Sequence, residues 1–168
     1  MGIVALRGKL AAGRVAVIDD EDRDLVSRYH WHAWERRHAN GRIEGPYAAA
    51  HICLGGGRCT SIFMHKLITG LPATDHRNGD GLDNQRSNLR PANAAQNNHN
   101  QRPQVGHSSR FKGVTWHKKV RKWQAAIKVC GKTHYLGCYV SEEEAAAAYA
   151  AAALAFQGEY AYAARGAA

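Results

Sequence analysis

The stretch Thr74 to Asn100, TDHRNGDGLDNQRSNLRPANAAQNNHN, constrains this chain most: it is too polar for a core and too rich in turn residues for one regular element. Asn78-Gly79-Asp80-Gly81 is turn chemistry, so Arg77 to Ser87 reads as a loop. On either side, Thr74-Asp75-His76 and Asn88-Leu89-Arg90-Pro91 read as short extended pieces. Asn93 is placed to cap a helix carrying Gln96, Asn97 and Asn100. A hairpin laid across such a helix brings Asp75, His76, Asn88 and Asn97 together. Asp75 and Asn97 then offer hard oxygen ligands to a magnesium-like ion. His76 can take a proton from water, and the Asn88 amide carbonyl can accept from the other imidazole nitrogen and fix its tautomer. A plain solvated loop is the competing reading.

The strings DH, NGDGLDN, NLRPAN and QNNHN, in that order, resemble the ββα-metal motif of HNH endonucleases, in the H-N-N form of phage-type homing endonucleases. The resemblance implies a DNA nuclease with one Mg²⁺ or Mn²⁺ ion on Asp75 and Asn97, with His76 as base and Asn88 as its orienting partner. Arg77, Arg86 and Arg90 are expected to steer or clamp phosphate. Leu82 and Leu89 are expected to pin the loop over the helix, and Asp80, Asp83 and Asn84 to fix it by hydrogen bonds, with metal binding by either aspartate the alternative. Upstream, IFMHKLI (62–68) resembles the MHRLI segment of the same family, in a helix ended by Pro72. His65 there either reaches the scissile phosphate or packs as a structural histidine.

Charge points the same way. The formal net charge is +9, and no acidic residue occurs between Asp83 and Glu142, while eleven Lys or Arg residues fall in that interval, from Arg86 to Lys132. Such a one-signed run favours a polyanion, nucleic acid first. A membrane surface is disfavoured, because the run reads as strands and not as a basic amphipathic helix.

Before the polar stretch, residues 1–64 read as a β-rich segment with one short helix. Arg14–Ile18 is a strand candidate, and Asp19-Asp20 an N-cap for a helix reaching about Tyr29. Trp31–Arg36 and Tyr47–Leu54 are further strands about an Asn40-Gly41 turn. Arg36, Arg37, His38 and Arg42 gather at that tip, as a DNA-backbone contact or as an ordinary solvated hairpin end. Gly55-Gly56-Gly57 is a second turn. The four cysteines, Cys53, Cys59, Cys130 and Cys138, form no CxxC pair and no His cluster completes a zinc set, so no structural zinc is expected. With no secretory signal and no long apolar run, the expectation is free thiols in a cytoplasm, that of a bacterium or a phage-infected host.

The composition changes after residues 101–109, a Pro-, Gly- and Ser-bearing linker. Phe111–Trp116, Lys122–Val129 and Thr133–Tyr139 alternate apolar with polar or basic residues and read as three strands, with a tight hairpin at Cys130-Gly131-Lys132. Ser141-Glu142-Glu143-Glu144 is a capping box for an alanine-rich helix from Glu142 to about Phe156. The segments SSRFKGVTW, KWQAAIKV, YLGCY and SEEEAAAAY…AAALAFQGEYA resemble the AP2 DNA-binding domain over roughly 108–162. That likeness implies a sheet facing the DNA major groove, with Lys112, Thr115, His117, Lys128 and Tyr135 where the family contacts DNA. Thr115 and His117 stand where plant members usually carry arginine. Arg110, Lys118 and Lys119 add basic charge, and Trp116 and Trp123 either pack the sheet or stack on the nucleic acid.

The sequence thus predicts an α+β chain: a β-rich segment (1–64), a ββα-metal core (65–100), a linker (101–109), and a three-stranded antiparallel sheet on one helix (110–162). It predicts a monomer or weak dimer that cleaves double-stranded DNA. The rivals are a regulator that binds DNA on a decayed nuclease core, and an RNA-acting nuclease.

Overall fold

The computed structural model describes residues 1–39, 41, 43–101 and 108–162. Asn40, Arg42 and linker residues 102–107 lie outside the described residues, and with them the expected Asn40-Gly41 turn. The chain divides into two compact units, Met1–Ala95 and Gln96–Ala168. All sheets are antiparallel, so the fold is mixed α+β.

The first unit begins with a hairpin of β1 (Gly2–Ala5) and β2 (Val15–Ile18). A 3₁₀ turn, Asp20–Asp22, leads into α1 (Arg23–Ser27). Asp19 does not cap this element as expected. Its carboxylate instead accepts from the Arg86 backbone N–H (2.8 Å) and from Gln85 Nε2 (3.3 Å). A meander of β3 (His32–Arg37), β4 (Ile43–Cys53) and β5 (Cys59–Phe63) follows, then α2 (Met64–Thr69). Gly70, not Pro72, ends α2. It adopts a left-handed conformation (φ 67°) and its N–H returns to the Lys66 carbonyl at 2.9 Å.

β6 (Thr74–His76) and β7 (Leu89–Pro91) form the expected two-stranded pair, followed by α3 (Ala94–His99). The loop between β6 and β7 is sewn along β2. Val17 donates to the Leu82 carbonyl and accepts from the Asn84 N–H, both at 2.8 Å. One core joins Ile18, Val26, Trp31, Met64, Ile68 and Leu89, with Leu82 against it. Residues before and after position 64 therefore share a single core, and the break between units falls inside α3, upstream of the expected linker.

In the second unit β8 (Val114–His117), β9 (Lys122–Val129) and β10 (Lys132–Tyr139) form a sheet of order β10-β9-β8. α4 (Glu142–Gln157) opens with a complete capping box, Ser141 accepting from the Glu144 N–H and the Glu144 carboxylate accepting from the Ser141 N–H. Alanines 145 and 153 are buried, so the helix lies close on Val114, Ala125 and Ile127. Gly113 (φ 71°) permits that approach. A Cβ there would stand 2.1 Å from two ring carbons of Tyr149 and 2.8 Å from the Ala126 carbonyl oxygen. Gly113→Ala is expected to cost about 1–2 kcal/mol of backbone strain and about 1–3 kcal/mol of overpacking. A chemical melt of the full chain checks this, and an unchanged midpoint for the second unit would show that the sheet can yield.

Candidate functional site

In the first unit the site is built on β6 and β7. Their register sets Asp75 directly opposite Arg90, and both side chains are buried, at 9% and 3% exposure. Arg90 Nε and Nη2 donate to the same carboxylate oxygen of Asp75, at 2.8 and 2.6 Å. Arg90 is thus inside the unit, orienting the Asp75 carboxylate, and not at the surface to clamp phosphate. Arg86 is also committed elsewhere. Its guanidinium forks onto Asp22 at 3.0 and 2.6 Å and reaches Glu21 at 2.9 Å, which ties the loop to the acidic turn before α1. Arg77 is exposed at the end of β6.

His76 follows Asp75 on β6 and sits in an aromatic box. Tyr47 stacks on it (5.9 Å between centroids, 30°), and His65 meets it edge-on (4.9 Å, 83°). His65 stacks in turn on Phe63 (5.6 Å, 15°). His65 is itself buried, so of the two expectations the packed histidine describes its placement. Nothing in the sequence marked Tyr47, which is brought in by β4 from far upstream.

Burial holds the His76 imidazole below its ordinary pKa; the Asn84 side chain, then the charges of Asp75, Asp80 and Asp83, pull it the other way without winning. Asn84 is fully buried in the loop, and its Nδ2 donates to the Leu82 carbonyl at 3.1 Å. Asn88, expected to orient the imidazole, spends its side chain on the loop: Oδ1 accepts from the Asn78 N–H (2.9 Å) and Nδ2 donates to the Asp83 carbonyl (2.7 Å). The reason is local. Asn78-Gly79-Asp80 turns so tightly that its N–H groups face inward and need an acceptor. Asp80 and Asp83 also serve the loop, accepting from the Leu82 N–H (3.1 Å) and from Asn78 Nδ2 (2.6 Å).

His65 is more strongly perturbed. Burial first, then the charges of His76 and Lys66, push its pKa down to about 3. Its Nδ1 is buried with no hydrogen-bond partner among the described residues. The unfolded chain, with His near 6.5, then binds more protons than the folded one between roughly pH 3 and 6.5. Stability is expected to be level above about pH 6.5 and to fall as pH drops below it, by up to about 1.4 kcal/mol per pH unit for this one group. His76, shifted in the same direction, adds to the slope. Denaturant titrations from pH 4.5 to 7.5 test this, and His65→Phe should flatten the slope; an equally steep slope in that variant would place the proton elsewhere.

The second unit holds Asn97, Asn98 and Asn100, with Asn97 half-buried on α3. Lys112, expected on DNA, is turned to the end of that helix. Its Nζ donates to the carbonyls of Asn98 (3.0 Å), His99 (2.5 Å) and Gln101 (2.9 Å), and burial pushes its pKa down to about 8. A helix C-terminus with unsatisfied carbonyls is a cation site, and the chain fills it from within. Arg110 is likewise held, on Glu143 at 3.0 Å at the N-terminus of α4.

Strand register divides the remaining candidates between the two sheet faces. Trp116 lies opposite Trp123, with rings 5.0 Å apart, and Trp123 packs against the core under α4. Trp116 is thus on the helix side, not on the open face. Thr115 pairs with Gln124, His117 with Lys122, Lys128 with Thr133 and Ala126 with Tyr135. These residues alternate with the buried Val114, Ala125 and Ile127 and therefore point away from α4. Tyr135 is 63% exposed there. Lys118, Lys119 and Arg121 extend the charge along the exposed β8–β9 turn. Lys122, Gln124 and Thr133 were not singled out by sequence, although the period-two spacing of Lys122 and Gln124 from Lys128 carries the signal for those two.

The second unit is thus a small antiparallel sheet with one face closed by a helix and the other open and basic. No family profile matches the chain, and no solved structure matches it. Curated relatives match in part. The chain is 41% identical over 51 residues to APETALA2-like protein 2 of Oryza sativa subsp. japonica, and 49% identical over 53 residues to the AP2-like ethylene-responsive transcription factor AIL7 of Arabidopsis thaliana. The match to the AP2-like ethylene-responsive transcription factor TOE2 of the same plant is 41% over 51 residues. Each match takes in 30% of this chain and spans only 10–12% of the relative. Partial likeness to AP2-like proteins is therefore a property of this chain. Among the described residues no helix is long and apolar enough to cross a membrane.

Proposed function

We propose that this chain binds duplex DNA through the open face of β8, β9 and β10. The observation that carries this reading is the makeup of that face. Lys122, Lys128, His117, Thr115, Gln124 and Tyr135 share it, and no Asp or Glu occurs on any of the three strands or their turns. Lysines supply sequence-independent attraction to phosphates, while Thr115, Gln124 and Tyr135 provide the hydroxyl and amide groups that can read base edges. The partial likeness to plant proteins named as transcription factors supports the same reading.

Removing Lys122 and Lys128 together, as alanines, is expected to lower the slope of log K against log salt by about 1.8, from about 0.9 per phosphate contact. Lys112→Ala should leave the slope unchanged, because that ammonium already faces three carbonyls. Fluorescence anisotropy on a duplex at several salt concentrations decides it. An unaltered slope in the double variant would remove this face from the interface.

One observation favours a second, catalytic function for the first unit: a buried Asp75-His76 step on a two-stranded hairpin, with the imidazole held neutral and the carboxylate oriented by Arg90. This supports the HNH-like reading, a divalent-metal-dependent hydrolysis of DNA phosphodiester bonds. The chemistry of Asp75 suits a hard ion, since it presents carboxylate oxygens, and a ligating carboxylate is itself commonly hydrogen-bonded as Asp75 is. Mg²⁺ or Mn²⁺ held by Asp75 would stabilise negative charge growing on the phosphate and on the departing oxygen. His76, neutral through burial, takes the proton of the attacking water as its oxygen bonds to phosphorus and the bond to the 3′ oxygen breaks. Tyr47 and His65 hold the ring in place. Nicking of supercoiled DNA with magnesium, against EDTA and against an RNA substrate, separates a nuclease from a DNA-binding protein without catalysis.

A further inference from the structure

We propose that Cys53 and Cys59 form a reversible redox site, a dithiol that closes to a cross-strand disulfide at the β4–β5 hairpin end. The two residues are directly opposed in the strand register, with Sγ atoms 3.1 Å apart, and both are exposed. The next pair outward, Leu54 and Arg58, carries the ladder hydrogen bond at 2.8 Å. Cys53 and Cys59 therefore occupy the adjoining non-hydrogen-bonded position, where opposed Cα atoms approach to about 4.5 Å. That spacing falls within the range a disulfide spans, about 4.4–6.8 Å. The Gly55-Gly56-Gly57 turn, in which a Cβ at each position would meet nothing, leaves the hairpin end free to adjust as the sulfurs join.

The other two cysteines lack this arrangement. Cys138 is opposite Gln124, and Cys130 lies in the β9–β10 turn, so these two do not face each other across the hairpin. The pair also has a place in the fold. β4 carries Tyr47, which stacks on His76, and β5 runs from Cys59 through Phe63 into α2, where His65 meets His76 edge-on and stacks on Phe63. The redox proposal does not depend on catalysis at His76.

The oxidant is a low-molecular-weight disulfide such as oxidised glutathione. One protein thiolate attacks a glutathione sulfur and expels a glutathione thiolate. The second protein thiolate then attacks the mixed disulfide at the protein sulfur and expels the other. The net change is a protein dithiol and one oxidised glutathione going to a protein disulfide and two glutathione thiols, the two protein protons passing to the leaving thiolates. An exposed disulfide of this kind is readily reduced again, which makes the site responsive and not a permanent staple.

The test uses the full reduced chain, incubated with oxidised glutathione, alkylated with N-ethylmaleimide and measured by intact mass and tryptic mapping. The expected result is loss of two of the four alkylatable thiols. Cys53 and Cys59 should be recovered as two peptides joined by a disulfide, since trypsin cleaves after the intervening Arg58, and dithiothreitol should reverse the change. Cys53→Ser and Cys59→Ser should each abolish the link and leave the remaining cysteine as a glutathione adduct. Full alkylation of both cysteines after oxidation, a stable glutathione adduct on either in the unmodified chain, or a link to Cys130, Cys138 or a second chain would each overturn the proposal.

Discussion

His76→Ala is expected to reduce magnesium-dependent nicking of duplex DNA by about 10²–10⁴-fold, the contribution typical of a well-placed general base, while duplex affinity stays within twofold of the parent. The separation of effects follows from the placement of the residues. His76 lies in the first unit, whereas the basic open face belongs to the second. The pH profile should carry the same signature. Burial lowers the pKa of His76 below 6.5, so the acid limb of the nicking rate should fall below that value and the rate should be flat from neutrality upward, until another group titrates. A buried ring tolerates little rearrangement, so His76→Gln serves as a second variant that preserves more of the packing. Nicking at parental rate in both variants would remove this imidazole from the chemistry and leave the protein a DNA-binding one.

Arg90→Ala should be the most damaging substitution to stability in the first unit. It strips the guanidinium from a carboxylate that is 9% exposed, and breaking a buried pair from one side typically costs about 3–5 kcal/mol. Set against the 5–15 kcal/mol that holds an ordinary domain together, that loss takes the unit close to unfolding at 37 °C. Arg90→Lys should recover only part of it, because two donors converge from one planar fork at 2.8 and 2.6 Å. Replacing both partners, Asp75→Asn with Arg90→Met, should cost less than Arg90→Ala alone, since no uncompensated charge is then buried. Circular-dichroism melts of the full chain rank the three variants. Should Arg90→Ala melt within about 1 kcal/mol of the parent, water must reach the carboxylate and the pair is not the structural tie described here.

Asp75 and His76 are adjacent in the chain, yet the fold gives each a different companion: a guanidinium across the strand pair for one, a box of rings for the other. The arginine expected from sequence to clamp phosphate is what keeps the carboxylate buried and oriented.

Sequence alone determined the elements whose signals are local. Alternation with period two marks β8, β9 and β10, because a strand between helix and solvent must alternate. Ser141 and Glu144 mark the start of α4, because the first N–H groups of any helix need acceptors. The β6 and β7 pieces are legible for the same reason, bounded by a glycine- and asparagine-rich turn. Tertiary structure alone decided which polar side chains face one another. Arg86 meets Asp22, Lys112 meets carbonyls of α3, Asn88 meets the loop backbone at Asn78 and Asp83, and Tyr47 arrives from a distant strand. A cation shows its charge in the sequence but not its partner. Desolvation settles that choice: each buried or half-buried polar group takes the nearest acceptor that packing leaves within reach, and packing is a property of the whole core.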